Sequence, residues 1–76
     1  MIYGYDAKTV NEYGLKEMKE VSILATPDSL RDLAAFLLLA AEEMEQASSD
    51  NWHSHAPAAL NQELGCEIVV CPASEN

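Results

Sequence analysis

Positively charged residues are scarce in this chain. It has 4 Lys and Arg residues against 13 Asp and Glu residues, which gives a formal net charge of -9. An electric field of that sign repels nucleic acid phosphates and anionic membrane surfaces, and it attracts basic proteins. We therefore expect no nucleic acid and no membrane among the partners, and we expect a protein partner to be basic. The alternative is that the acidity serves only to keep the chain in solution.

Long apolar runs and cysteines are also few. No apolar run approaches the roughly 20 residues of a membrane span. The N-terminus lacks the basic and then apolar order of a signal peptide, so we expect a cytoplasmic protein. If the segment between Cys66 and Cys71 is a strand, the two lie about 17 Å apart on opposite faces. A disulfide needs roughly 6 Å, so we predict two reduced thiols.

The motifs of common catalytic sites are missing. The three glycines, at positions 4, 14 and 65, are too scattered to form a phosphate-binding loop, and there is neither a serine nucleophile elbow nor a zinc-finger cysteine spacing. The glutamates at positions 42, 43 and 45 would point in different directions around a helix. Such an arrangement predicts a solvated acidic face rather than a general acid and base pair. We expect a protein that is not an enzyme and needs no cofactor.

The strongest structural signal is a helix over about residues 27–47. Thr26 has the side chain of a good N-cap, and Pro27 suits the first helical position. Phe36 flanks the predicted core face and Leu39 projects roughly opposite to it, so both are candidate contact residues, although single exposed apolar residues are ordinary. The stripe expected to face the core follows helical spacing: Leu30, Leu33, Ala34, Leu37, Ala41 and Met44.

Four strands are predicted around this helix, over about residues 2–6, 15–25, 52–56 and 67–71. In the second strand, Val21, Ile23 and Ala25 alternate with polar residues and are expected to point inward. Residues 57–64, followed by Gly65, could add one or two helical turns. The prediction is a single α+β domain over residues 1–76, in the order β-β-α-β-β. Its long amphipathic helix would pack on a mostly antiparallel four-stranded sheet.

A histidine pair is the one feature that resembles chemistry. His53 and His55 would lie on the same face of a strand, roughly 6.6 Å apart. Two imidazoles could share a metal ion, but a third ligand is needed, so we predict no metal site while these two remain its only candidates. The alternatives are a polar contact patch anchored by Trp52, or two surface histidines beside a tryptophan that fills the core. A third ligand would have to come from a carboxylate brought near by folding: Asp50, Glu63 or Glu67.

The small size of the chain favours association. A chain of 76 residues with one long helix makes a thin core. Small chains are commonly stabilised by disulfides, metals or oligomerisation. We expect a homodimer, in which Phe36, Leu39 and an exposed strand edge could meet their symmetry mates.

Several segments resemble one protein family. Residues 15–23 are followed by Leu30, Leu33, Ala34, Phe36, Leu37, Ala40, Ala41, Glu42 and Met44, then by the pair His53 and His55 and the apolar strand 68–70. This pattern, over about residues 15–70, is similar to the immunity protein 32 family of bacterial polymorphic toxin systems. The resemblance implies a compact α+β inhibitor of a cognate toxin, with no catalytic residues.

The charge and the resemblance lead to the same expectation. An acidic inhibitor could be steered to the positive cleft of a basic toxin. The alternatives are a small homodimeric accessory protein and a metal-binding protein that uses His53 and His55. The residues predicted to contact a partner are apolar, acidic or aromatic: Phe36, Leu39, Glu42, Glu43, Glu45, Asp50, Trp52, His53, His55 and Glu63.

Overall fold

The computed structural model describes residues 1–12, 14–47 and 51–73. They form an α+β fold with one long helix, one short helix and two antiparallel strand pairs. In chain order the elements are β1 (Ile2–Val10), β2 (Lys16–Ile23), α1 (Pro27–Gln46), β3 (Ser54–His55), α2 (Ala58–Leu64) and β4 (Val69–Val70).

Strands β1 and β2 form a hairpin that begins at the N-terminus. Ile2 pairs with Ile23, and the register shifts after Tyr5. Beyond the shift the backbone NH of Lys8 donates to Asp6 Oδ1 at 2.6 Å, and Lys8 has a φ of 65°. A positive φ in a lysine is uncommon and marks a local kink in the strand.

The predicted four-stranded sheet is wrong. The strands form two separate two-stranded sheets, β1 with β2 and β3 with β4. β1 is longer than the predicted 2–6, whereas β3 and β4 have two residues each instead of five. β3 is short because Pro57 follows soon after it and because the backbone NH of Ile68 donates to Asn61 Oδ1 at 3.0 Å. Beyond His55 one backbone bond remains, from the Ala56 NH to the Ile68 carbonyl at 2.9 Å, and the Asn61 side chain takes the place of the second bond of that pair.

Helix α1 begins as the sequence predicts. Thr26 is the N-cap, its Oγ1 accepts from the backbone NH of Ser29 at 3.1 Å, and Pro27 opens the helix. The helix ends at Gln46, within one residue of the predicted boundary at about residue 47. These local signals are confirmed.

The buried face of α1 differs from the predicted one. Leu30 and Leu37 are 45% and 46% exposed, and Ala34 and Ala41 are exposed as well. At about 100° per residue the buried face is rotated from the predicted stripe by roughly 80°. The reason is that α2 packs against the side of α1 that carries Phe36. The buried residues of α1 are Ser29, Leu33, Phe36 and Ala40.

The core is small and lies between the two helices and the β3–β4 pair. Its buried cluster consists of Leu33, Phe36, Ala56, Leu60 and Leu64, with Ile2, Ile68 and Val70 packed against it. The hairpin reaches this cluster through Ile2. The inward orientation predicted for Val21, Ile23 and Ala25 is therefore wrong: Val21 and Ile23 are 52% and 43% exposed, and Ala25 is exposed.

The helical turn considered for residues 57–64 is present as α2. The observed order is therefore β-β-α-β-α-β, and the predicted order β-β-α-β-β is wrong. It follows Pro57 and ends at Gly65, whose φ of 73° lies in the left-handed region that glycine adopts without a steric penalty. Asn61 on α2 joins the ends of the β3–β4 pair, since its amide NH2 donates to the carbonyl of Ala56 at 3.1 Å. α2 thus holds the second sheet against the core.

Two further predictions concern the surface. Cys66 and Cys71 are both free thiols and both exposed. In the part of the chain that the structure describes, no helix combines the length and apolar character needed to cross a membrane.

Candidate functional site

An apolar groove runs between α1 and α2. It has a volume of about 330 Å³ and is open to solvent on one side. Of the residues that the structure describes, Asp32 is the one charged residue in its lining. The residues that line the groove are Asp32, Ala35, Phe36 and Leu39 from α1, and Pro57, Ala59 and Leu60 from α2 and its cap.

Phe36 and Leu39, the two apolar residues predicted to contact a partner, both line this groove. They differ in accessibility, since Phe36 is 8% exposed and Leu39 is 54% exposed. Phe36 belongs to the core cluster, so another molecule could meet it only through the groove. Leu39 forms an exposed wall of the groove.

Two glutamates lie on α1 just beyond the groove. Glu42 and Glu43 follow Leu39 by three and four residues, which places them one turn farther along on the Leu39 side of the helix. Glu45 lies four residues after Ala41 and therefore on the other side. All three side chains are exposed. The predicted acidic face is thus divided, and two of its members adjoin the groove.

Glu63 has an internal hydrogen-bond partner. Its Oε2 accepts from the Ser29 hydroxyl at 2.8 Å, and that hydroxyl also accepts from Thr26 Oγ1 at 3.1 Å. Glu63 therefore joins α2 to the first turn of α1. Asp50, the remaining acidic residue predicted to bind a partner, lies outside the described residues.

The histidine pair lies in and beside β3. The rings of His53 and His55 are 5.2 Å apart, centroid to centroid, in an edge-on arrangement. His55 Nδ1 donates to Glu67 Oε1 at 2.7 Å, and both side chains are more than half exposed. Trp52 is half-buried, which is compatible with either of its two interpretations. Among the described residues, no three His, Cys, Asp or Glu side chains are grouped so that they could hold a metal ion.

Sequence reasoning missed a second exposed apolar surface on α1. Leu30, Ala34, Leu37 and Ala41, here named the α1 stripe, were assigned to the core, but the fold leaves them exposed. Their spacing of four, three and four residues is the heptad spacing of paired helices. That signal is present in the sequence, and it could have identified a contact surface.

The total exposed area is large for a chain of this mass. The chain exposes 6228 Å², whereas a folded monomer of its mass is expected to expose about 4,600 Å². The hairpin adds to the exposed apolar surface, because Tyr3, Tyr5 and Met18 are all about half exposed or more. A two-stranded hairpin is marginally stable by itself, and exposed apolar surface of this kind is typical of contact surfaces.

No family model, curated protein or solved structure matches this chain.

Proposed function

We propose that this chain is a non-catalytic binding protein that inhibits a cognate bacterial toxin by direct contact. The observation that carries the proposal is the apolar groove between α1 and α2, with carboxylates beside it, in a chain with a net charge of -9. The resemblance to the immunity protein 32 family supplies the class of partner.

The size of the groove suits one or two side chains of another protein. Interfaces commonly depend on a few anchor residues that fill such depressions while neighbouring contacts exclude water. Phe36 and Leu60, at 8% and 4% exposed, would form a rigid apolar floor, and the exposed Leu39 would contact the sides of the inserted group.

The charges around the groove favour a basic partner. Asp32 lines it, and Glu42 and Glu43 lie on the same side of α1 as Leu39. A lysine or arginine could place its alkyl stem on Leu39 while its charged end pairs with one of these carboxylates. The net charge would also accelerate the encounter with a positively charged cleft.

The first experiment is co-purification of the tagged chain with the product of the adjacent open reading frame. We expect one basic protein at near-stoichiometric yield, whose toxicity the chain suppresses. Leu39→Ala should then weaken the complex at least tenfold. Leu15→Ala, which truncates a leucine 64% exposed in the hairpin turn, is the matched control and should leave affinity unchanged. Equal effects of the two variants would contradict a role for the groove.

Electrostatic steering has a separate test. Glu42→Lys combined with Glu43→Lys should slow association at low ionic strength, and the difference from the parent chain should shrink as salt is added. Circular dichroism would check that the variant keeps its fold. An association rate that is unchanged at every ionic strength would exclude steering by these two residues.

The histidine pair gives less support to a metal-binding function. His53, His55 and Glu67 are neighbours, but they are not arranged as a group that could hold a metal ion. We keep Trp52, His53 and His55 as contact residues for the protein partner rather than as metal ligands.

A further inference from the structure

We propose that two copies of the chain associate through antiparallel pairing of their α1 helices, with the α1 stripe at the contact. This inference does not rest on the toxin-inhibitor function, because the stripe and the groove occupy different sides of α1. Around the helix axis, the middle of the stripe is separated from Leu39 by more than a right angle at about 100° per residue.

The spacing of the stripe fits a partner helix. Leu30, Ala34, Leu37 and Ala41 alternate steps of four and three residues, which keeps them on one seam when two helices pack side by side. No charged residue belongs to the stripe. Leu30 and Leu37 are 45% and 46% exposed. A second helix could therefore pack on apolar side chains that this chain leaves about half uncovered.

The order of large and small residues selects a second copy as the occupant. In an antiparallel pair, Leu30 would face Ala41 of the second copy, and Ala34 would face Leu37 of the second copy. The two-fold axis generates the reciprocal pairs, Ala41 facing Leu30 and Leu37 facing Ala34. Every pair along the contact therefore combines one leucine with one alanine. Large-against-small pairing fills the space between helices evenly. The stripe is therefore complementary to itself, which is the requirement of a two-fold interface.

The charge distribution along α1 favours the antiparallel orientation. Glu42, Glu43 and Glu45 lie near its C-terminal end. Its N-terminal part carries Arg31, which pairs with Asp28 at 2.9 Å, and Asp32, so the negative charge is more concentrated at the C-terminal end. Parallel pairing would bring the two glutamate clusters together. Antiparallel pairing places each cluster near the start of the other helix, where the helix dipole favours negative charge. Orientation therefore follows from charge as well as from side-chain size.

The chain as a whole exposes more surface than a folded monomer of its mass, and the α1 stripe contributes to that surface together with the hairpin. The chain exposes about 1,600 Å² more than a folded monomer of its mass is expected to expose. A stable interface of standard size removes about 800 Å² from each partner. A helix of 20 residues is about 30 Å long, and the stripe occupies its central part.

Sedimentation equilibrium of the purified chain tests the association. We expect a concentration-dependent mass that approaches twice 8.3 kDa. Leu37→Glu should weaken self-association at least a hundredfold, because it buries a charge in the seam. Leu39→Glu is the matched control, since Leu39 is similarly exposed at 54% but lies outside the stripe. Ala41→Glu provides a second disruption, and circular dichroism would show that each variant is folded.

Spin labels test the orientation. With Cys66→Ser and Cys71→Ser as background, a label at Glu45→Cys should give an inter-label distance of about 30 Å for antiparallel helices. Parallel helices would bring the labels much closer together and would overturn the antiparallel assignment.

Two results would overturn the self-association itself. One is a chain that stays monomeric at submillimolar concentrations. The other is an association that Leu39→Glu disrupts as strongly as Leu37→Glu. The dependence of affinity on salt concentration distinguishes self-association from the toxin complex. Two acidic copies should associate more tightly as salt rises, whereas a complex with a basic partner should weaken. A failure of either proposal is therefore distinguishable from a failure of the other.

Discussion

Ser29 donates a hydrogen bond to Glu63, with 2.8 Å between the hydroxyl oxygen and Oε2. The two residues are 34 positions apart in the chain, and their contact fixes α2 beside the first turn of α1. Ser29 is the buried polar residue of α1, at 7% exposed. Its hydroxyl both donates a hydrogen bond and accepts one, because Thr26 Oγ1 donates to it. The groove depends on this contact, because α1 forms one of its walls and α2 forms the other.

Removal of the Ser29 hydroxyl should destabilise the fold. Ser29→Ala leaves the Glu63 carboxylate without this donor, and we expect a loss of about 1–2 kcal/mol in the free energy of unfolding. Glu63→Ala should cost less, because this side chain is exposed. In urea denaturation, the double variant should cost less than the sum of the two single variants. Strict additivity would mean that the hydrogen bond contributes nothing.

Asn61 should be important for the position of the second sheet. Its side chain donates to the carbonyl of Ala56 and accepts from the backbone NH of Ile68. Asn61→Ala would remove both bonds, and we expect a loss of about 1–3 kcal/mol on thermal or urea unfolding. Gln62→Ala, at the exposed neighbouring position, is the control and should change stability by less than about 0.5 kcal/mol. Similar losses at the two positions would contradict the bridging role.

A side chain at Gly65 should destabilise the fold. Its φ is 73°, and a Cβ there would clash with Met1 Sδ. Gly14 has a φ of 82° with open space around the site of a Cβ, so Gly14→Ala measures the backbone cost alone, about 1 kcal/mol. Gly65→Ala should cost somewhat more, because the Met1 side chain must also move. A smaller loss at Gly65 than at Gly14 would show that Met1 does not pack there.

Leu64 should carry a large part of the core stability. It is fully buried at 0% exposure, whereas Leu15 is 64% exposed. Leu64→Ala should lower the free energy of unfolding by about 2–5 kcal/mol through lost burial and the cavity that remains. Leu15→Ala removes the same atoms from the surface, and we expect a change below about 0.5 kcal/mol. Differential scanning fluorimetry would detect the contrast.

The local features of the fold could be predicted because nearby residues decide them. The capping side chain of Thr26 and the fixed φ of Pro27 determine where α1 begins. Gly65 ends α2 for the same kind of reason, since its backbone adopts a left-handed conformation. Each of these signals acts within a few residues, so no knowledge of the rest of the molecule was needed.

The packing of α1 could not be predicted in the same way. Its apolar residues cover a wide arc, and either side of that arc could have faced the core. The hydrogen bond between Ser29 and Glu63 and the packing of Leu60 against Phe36 place α2 on one side. That choice buries Phe36 and leaves Leu37 exposed. It thereby creates both the groove and the α1 stripe.

The sequence alone determined the composition, the charge of -9, the bounds of the long helix and the presence of two strands before it and two after it. Only the tertiary structure decided that the strands form two separate sheets, and which side of α1 is buried. The physical reason is the distance along the chain over which each kind of interaction acts. Caps and turns act between neighbours in the chain, whereas strand pairing and helix docking depend on the summed contacts of residues far apart in sequence.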